Sequence, residues 1–190
     1  MEAKKIQHLS LTEYTAIEQE TGIRYEFHDG HIYAMAGGTL NHGLICGNIF
    51  GELRSSLQGA DCTALSSEIK LRIAQTNSYV YPDAMAVCGG LEAEKEEIGA
   101  ISNPTVIVEV LSKTSSNYDR GDKFYFYRTI ESLQQYVLIE QEKALVEVFS
   151  RKAGLWEIRR FAGMEQNLEL HSLDRVIPLA LIYQSVSFKE

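Results

Sequence analysis

The sequence predicts an α/β fold in which a mixed β-sheet is flanked by helices, and three observations lead there. Residues 105–111 (Thr-Val-Ile-Val-Glu-Val-Leu) are the most β-prone run in the chain, apolar without alternation, as suits a central strand covered on both faces. A helical segment carrying Lys123, Phe124 and Tyr127 follows, then a strand-like run over 133–140, and this strand, helix, strand order suggests a parallel crossover. Turn signals at Asp29-Gly30 and Lys152-Ala-Gly154 each lie between β-rich runs, which adds a hairpin towards each end.

The elements follow in order. Ser10-Leu-Thr-Glu13 has capping-box spacing, and Leu11, Tyr14 and Ile17 recur at helical intervals, so a short helix runs to about Glu20 and Gly22 ends it. Residues 24–35 form two antiparallel strands around Asp29-Gly30. After Gly37-Gly38, Asn41 can cap a helix with His42, Ile45, Ile49, Leu53 and Leu57 on one face, closed by Gly59. Residues 62–65 and 68–73 read as strands, the second with Glu68, Lys70 and Arg72 on a wet or functional face. Residues 79–88 are a further strand interrupted early by Pro82, and 92–97 an acidic, solvated loop or helix. Asp119 can cap the helix of the crossover. Strands over 144–150 and 155–161 and a helical turn over 178–183 complete the chain.

At 190 residues the chain is long enough for one domain with a substantial core, and residues 1–190 are taken as a single unit. No run approaches the ~18 apolar residues that cross a bilayer, and the polar N-terminus has no signal-peptide core, so the expected home is the cytoplasm and no membrane is involved. Cys46, Cys62 and Cys88 are widely spaced in apolar surroundings, without metal-ligand spacing, and are expected to be reduced packing residues. The net charge of -8 argues against a protein that coats nucleic acid by bulk electrostatics, but it leaves room for a local basic channel or a cation-neutralised acidic site.

Two acids carry the candidate chemistry. A carboxylate at Glu109, inside a strand apolar on both faces, must be paired, protonated or bound to metal. Asp83, just inside another strand after Tyr81-Pro82, brings a second acid from a neighbouring strand. A hard divalent cation such as Mg²⁺ needs only one or two carboxylates plus water and phosphate, which this pair can supply. The alternatives are an ion pair to a covering helix for Glu109 and a turn-bonding aspartate for Asp83. Glu68 and Lys70 are further candidates for the rim of the site.

Read in order, Arg24-Tyr-Glu26 with Asp29-Gly-His-Ile-Tyr33, His42 opening a helix, Tyr81-Pro-Asp83, Val108-Glu-Val-Leu-Ser112, Asp119-Arg-Gly-Asp-Lys123 with Tyr127, and Leu133-Gln-Gln-Tyr136 span nearly the whole chain. This ordered set resembles the Uma-two-type family of putative restriction endonucleases, within the PD-(D/E)XK nuclease superfamily. The resemblance implies a restriction-endonuclease-like core with N-terminal and C-terminal β-hairpin additions, and a metal-dependent site that hydrolyses phosphodiesters. It matches Asp83 to the aspartate of the Pro-Asp motif and Glu109 to the acid of (D/E)XK, both as ligands of Mg²⁺ or Mn²⁺. Leu111 stands where the motif expects lysine, and the resemblance points to Lys123 on the following helix as a migrated replacement, with a helical i,i+4 pair to Asp119 as the bland alternative. Glu26 and His42 match the remaining polar positions, with an Arg24-linked surface carboxylate and a satisfied core histidine as their bland alternatives. Lys113 replaces the proline usual after the second acid.

The leading expectation is thus a Mg²⁺-dependent endonuclease acting on DNA, with Asp83, Glu109, Lys123, Glu26 and His42 as site residues. A homodimer, common among nucleases of this architecture, is suggested by analogy. The alternatives are a nuclease-derived binding or regulatory module whose catalysis has lapsed, favoured by the acidic charge and the missing strand lysine, and a phosphodiesterase for a smaller substrate.

Overall fold

The computed structural model describes residues 8–35, 37–93, 100–112 and 118–188. Its first half runs α1 (Leu11–Thr21), β1 (Tyr25–His28), β2 (His31–Ala34), α2 (Leu40–Ser56), β3 (Cys62–Ser66), β4 (Lys70–Ile73), β5 (Ser78–Val80), β6 (Ala84–Cys88), β7 (Ala100–Ile101) and β8 (Val106–Leu111). A π-helical turn (Asp119–Lys123) then leads into α3 (Phe124–Tyr127), followed by β9 (Gln135–Glu140), β10 (Leu145–Lys152), β11 (Leu155–Ala162), β12 (Asn167–Leu170), β13 (Arg175–Pro178) and α4 (Leu179–Ile182).

The apolar run of β8 is buried at every position and sits inside a six-stranded sheet of order β11-β10-β9-β8-β6-β3. Alternation sends Val106, Val108 and Val110 to one face, where Ile45, Ile49 and Leu53 of α2 cover them, and Ile107 and Leu111 to the other, against Tyr127, Leu133 and Tyr136. Strand β9 pairs parallel with β8 from Val106↔Gln135 to Leu111↔Glu140, so the crossover expected from sequence is present and carries the π turn and α3. A second sheet, β2-β1-β5-β4-β7, contributes Leu71, Ile73, Val80 and Ile101 to the same core as Ile107, and α1 closes a smaller cluster of Tyr14, Phe27 and Tyr79.

Both hairpin turns form as their residues require. Asp29 and Gly30 (φ 42° and 85°), and Ala153 and Gly154 (φ 49° and 82°), are left-handed in pairs, as a two-residue turn between twisted strands demands. The N-terminal hairpin joins the five-stranded sheet, whereas β10–β11 extends the main one, and the β12–β13 hairpin was not foreseen.

Several local expectations are corrected. Helix α2 is capped by Thr39, whose hydroxyl accepts from the His42 amide at 3.1 Å; Asn41 lies within the helix and reaches across to the Ser187 carbonyl instead. The same helix ends at Ser56, with Leu57 as its cap, and Gly59 serves the following turn at φ 78°. Asp119 opens the π turn but does not cap it. The strand expected over 79–88 is divided at Pro82: β5 belongs to the five-stranded sheet and β6 to the six-stranded one. Proline has no amide to give a ladder, and the chain changes sheets where it stands. Cys62 and Cys88, expected to be reduced, face each other across β3 and β6 and form a disulfide, leaving Cys46 as the free thiol. Most of the acidic stretch at 92–97 lies outside the described residues, as does Lys113. Among the described residues no helix is long and apolar enough to cross a membrane.

Candidate active site

The change of sheet at Pro82 puts Asp83 immediately before β6. Strands β6 and β8 are antiparallel with Ala84↔Val108 in register, so one further step sets Asp83 opposite Glu109. Asp83 Oδ2 accepts the Val110 amide at 2.7 Å, which fixes the carboxylate at the end of the ladder. The first turn of α2 brings His42 Nε2 to 3.5 Å from the same oxygen. One helical turn on, Cys46 Sγ lies 3.5 Å from His42 Nδ1.

The second part of the site surrounds Lys123. This lysine is buried, and its ammonium lies 3.0 Å from Glu109 Oε1, 3.1 Å from Glu26 Oε1 and 3.5 Å from Asp119 Oδ1. Each carboxylate comes from a different element: Glu109 from β8, Glu26 from the face of β1 opposite Phe27, and Asp119 from the π turn that also carries the lysine. Tyr127 donates its hydroxyl to Glu109 Oε1 at 2.7 Å, and the Tyr136 hydroxyl donates to the Asp119 carbonyl at 3.0 Å, which steadies the turn. His28 lies 3.6 Å from Glu26 and 2.9 Å from the Tyr118 hydroxyl. A π turn widens the helical repeat locally, a geometry frequent at functional sites.

Burial governs the charges. Loss of water pushes the Glu109 carboxyl up to about 8; Lys123 opposes this, while Asp83 and Asp119 add to it. At Glu26 burial also works upwards, but the Lys123 ammonium and the His28 imidazole prevail and hold it at about 2. Lys123 stays protonated, because the carboxylates of Glu109, Glu26 and Asp119 outweigh its desolvation. The Asp83 carboxylate raises the His42 imidazole above its ordinary value, against the pull of burial. Cys46 is raised as well, by burial and then by Asp83.

These donors suit a hard divalent cation. Glu109 is costly to ionise where it stands, Asp83 adds a like charge nearby, and a cation there would stabilise both charged forms. Glu109 Oε1 is already engaged by Lys123 and Tyr127, whereas no hydrogen bond among the described residues engages Oε2.

The structure gathers all five residues singled out from sequence into two linked groups. Asp83 and His42 are in direct contact, Glu109, Lys123 and Glu26 form the second group, and the field of Asp83 reaches Glu109. Leu111, where the superfamily motif has lysine, is buried in the apolar core. Glu68 and Lys70 do not join the rim: Glu68 is an exposed partner of Arg24, and Lys70 is buried 2.7 Å from Glu18, with its ammonium over the Tyr14 ring. Sequence reasoning missed Cys46, taken for packing; it paired Asp119 with Lys123, as the structure does, but without the other two acids around that ammonium. The i,i+4 steps from His42 to Cys46 and from Asp119 through Lys123 to Tyr127 were the available signal.

Known proteins resemble the chain over nearly all of its length. The family model Uma2, described as "Putative restriction endonuclease", matches residues 11–182. Two proteins of Synechocystis sp. (strain ATCC 27184 / PCC 6803 / Kazusa), named "Uncharacterized protein slr1290" and "Uncharacterized protein sll1609", are each 32% identical. The first match covers 95% of this chain and 94% of the relative, and the second 85% and 92%. Among solved structures, a "putative nuclease belonging to DUF820" from Anabaena variabilis ATCC 29413 superposes with a TM-score of 0.70 at 15% identity, covering 88% of this chain and 93% of that one. At that identity the likeness speaks for the fold.

Proposed function

Because the chain belongs to the Uma2 family of putative restriction endonucleases, we propose that it is a metal-dependent endonuclease that hydrolyses DNA phosphodiester bonds. The observation that carries this reading is the register that sets Asp83, just before β6, across from Glu109 inside β8, with Glu109 pushed up to about 8 beside the fixed charge of Lys123. Asp83 and Glu109 are the residues that would hold Mg²⁺ or Mn²⁺. When bound, the cation would supply charge neutralisation at the phosphate and an acidified water.

The chain's own residues do the rest. Lys123, pinned by three carboxylates, presents a charge that needs no reorganisation as negative charge develops on the phosphate. Glu26 stays ionised and keeps that ammonium oriented. His42, whose Nε2 stands 3.5 Å from Asp83 Oδ2, holds its proton more firmly for that neighbour and keeps the carboxylate turned into the site. The net charge of -8 makes approach to DNA depend on this local cluster and its cation rather than on the overall field.

The test is plasmid nicking in Mg²⁺ or Mn²⁺ by the wild-type protein beside Asp83→Ala and Glu109→Ala. Activity confined to the wild type is expected, and equal nicking by all three rejects the reading.

One observation favours a second reading, a nuclease-fold module whose catalysis has lapsed: Glu109 Oε1 is already bonded by Lys123 and Tyr127, so the acid is neutralised without any ion. Calorimetric titration with Mn²⁺ separates the two, because a scaffold takes up no metal in a manner dependent on Asp83 and Glu109.

A further inference from the structure

One donor set in this fold does not suit a hard cation. His42, Cys46 and Asp83 each offer a ligand atom, and the three atoms lie within 4.8 Å of one another, partly buried. A tetrahedron with zinc-nitrogen and zinc-oxygen bonds of about 2.1 Å and a zinc-sulfur bond of about 2.3 Å separates its ligand atoms by roughly 3.3 to 3.6 Å. His42 Nε2 stands 3.5 Å from Asp83 Oδ2 and 4.0 Å from Cys46 Sγ. Cys46 Sγ stands nearer Nδ1, at 3.5 Å, so a turn of the imidazole about its Cβ–Cγ bond is what would aim one nitrogen, with the oxygen and the sulfur, at a single ion.

The support is preformed. His42 and Cys46 lie one turn apart on α2, and the Val110 amide fixes Asp83. Gly38 backs onto the imidazole so closely that a Cβ there would stand 2.7 Å from Nδ1. Mg²⁺ prefers all-oxygen ligands, whereas a set containing imidazole and thiolate selects Zn²⁺.

We propose that His42, Cys46 and Asp83 form a Zn²⁺ site with an open fourth position, and that zinc held there withdraws Asp83 from the hard-cation site and inhibits the enzyme. The inhibition rests on the nuclease reading; the binding does not. On binding, the Cys46 S–H bond breaks and the ligating imidazole nitrogen gives up the proton it shares with Asp83; both protons pass to the buffer as the Zn–S and Zn–N bonds form, with no change of oxidation state.

Co²⁺ titration of the purified protein, with the Cys62–Cys88 disulfide intact, provides the test. A near-ultraviolet thiolate-to-cobalt band is expected, lost on adding Zn²⁺, absent in Cys46→Ser and at least tenfold harder to saturate in His42→Ala. Circular dichroism checks that both variants fold, and Cys62→Ser/Cys88→Ser should keep the band. Absence of the band from the wild type, or its persistence in Cys46→Ser, overturns the site. Zn²⁺ should also suppress Mg²⁺-supported nicking by the wild type at least tenfold more than by Cys46→Ser, each measured against its own zinc-free rate; equal suppression overturns the inhibitory role. A protein that shows the band but never nicks DNA overturns the nuclease reading and leaves the zinc site standing.

Discussion

Lys123 Nζ lies 3.0 Å from Glu109 Oε1, although the two residues are fourteen positions apart and belong to different elements. The crossover between β8 and β9 returns the lysine to the strand that carries the acid. Removing the ammonium leaves the carboxyl groups of Glu109, Glu26 and Asp119 facing one another in the interior without it, and breaking a buried pair of this kind costs about 3 to 5 kcal/mol. Lys123→Met should lose that much stability in urea unfolding, together with at least a hundredfold in nicking rate. A loss below about 1 kcal/mol would mark the cluster as solvent-screened.

The pH dependence follows from Glu109. Its folded value of about 8 stands above the ordinary 4.5, so its neutral form favours the native state. That contribution is complete below about pH 4.5 and is lost as pH rises through about 8. Melting temperature of the metal-free protein should fall between about pH 4.5 and pH 8, and Glu109→Gln should flatten the decline. Divalent metal should bind more tightly across the same window, because it displaces the proton. Glu26 acts in the opposite sense: held at about 2, it stabilises the fold above about 4.5, and this is lost as pH falls through about 2.

Gly38 gives a test of His42 that leaves the imidazole in place. An added Cβ would stand 2.7 Å from Nδ1, so the ring must leave the position in which Nε2 faces Asp83. Gly38→Ala should therefore reduce nicking or metal uptake severalfold while the urea midpoint stays within about 0.5 kcal/mol of wild type, as is usual for changes away from the core. Retention of full metal affinity would show that His42 has room to yield.

The Cys62–Cys88 bridge closes a loop of 26 positions and by chain entropy is worth about 3.5 kcal/mol. Reduction by dithiothreitol, or Cys62→Ser/Cys88→Ser, should lower the urea midpoint accordingly. An unchanged midpoint would mean that β3 and β6 need no covalent tie.

The features legible in the sequence are those that a period or a turn enforces. The two-sided burial of β8, the parallel return of β9 and the left-handed pairs at Asp29-Gly30 and Ala153-Gly154 all follow from local pattern. What the sequence hid depends on the partner across space. Lys70 sits on the polar side of a strand, yet it is buried because Glu18 and Tyr14 arrive from a helix far away in sequence. Cys62 and Cys88 carry no spacing signal, since their pairing arises only once β3 and β6 align. Residues 79–88 read as one strand because Pro82 signals a break without revealing that the halves enter different sheets. At the candidate site, Glu109 was readable from its cost of burial and Asp83 from its place after Pro82, whereas the encirclement of Lys123 required the crossover to be built first.

Glu18 on α1 accepts the Tyr25 amide and the Tyr81 hydroxyl, both at 2.9 Å on Oε1, and the Lys70 ammonium at 2.7 Å on Oε2. Tyr25 immediately precedes Glu26, and Tyr81 stands two places before Asp83. A single side chain outside the candidate site thus holds the backbone next to Glu26 and the tyrosine ring that precedes Pro82 and Asp83. Substitutions in this N-terminal helix would be expected to surface in a selection for inactive variants as often as changes in the acids themselves.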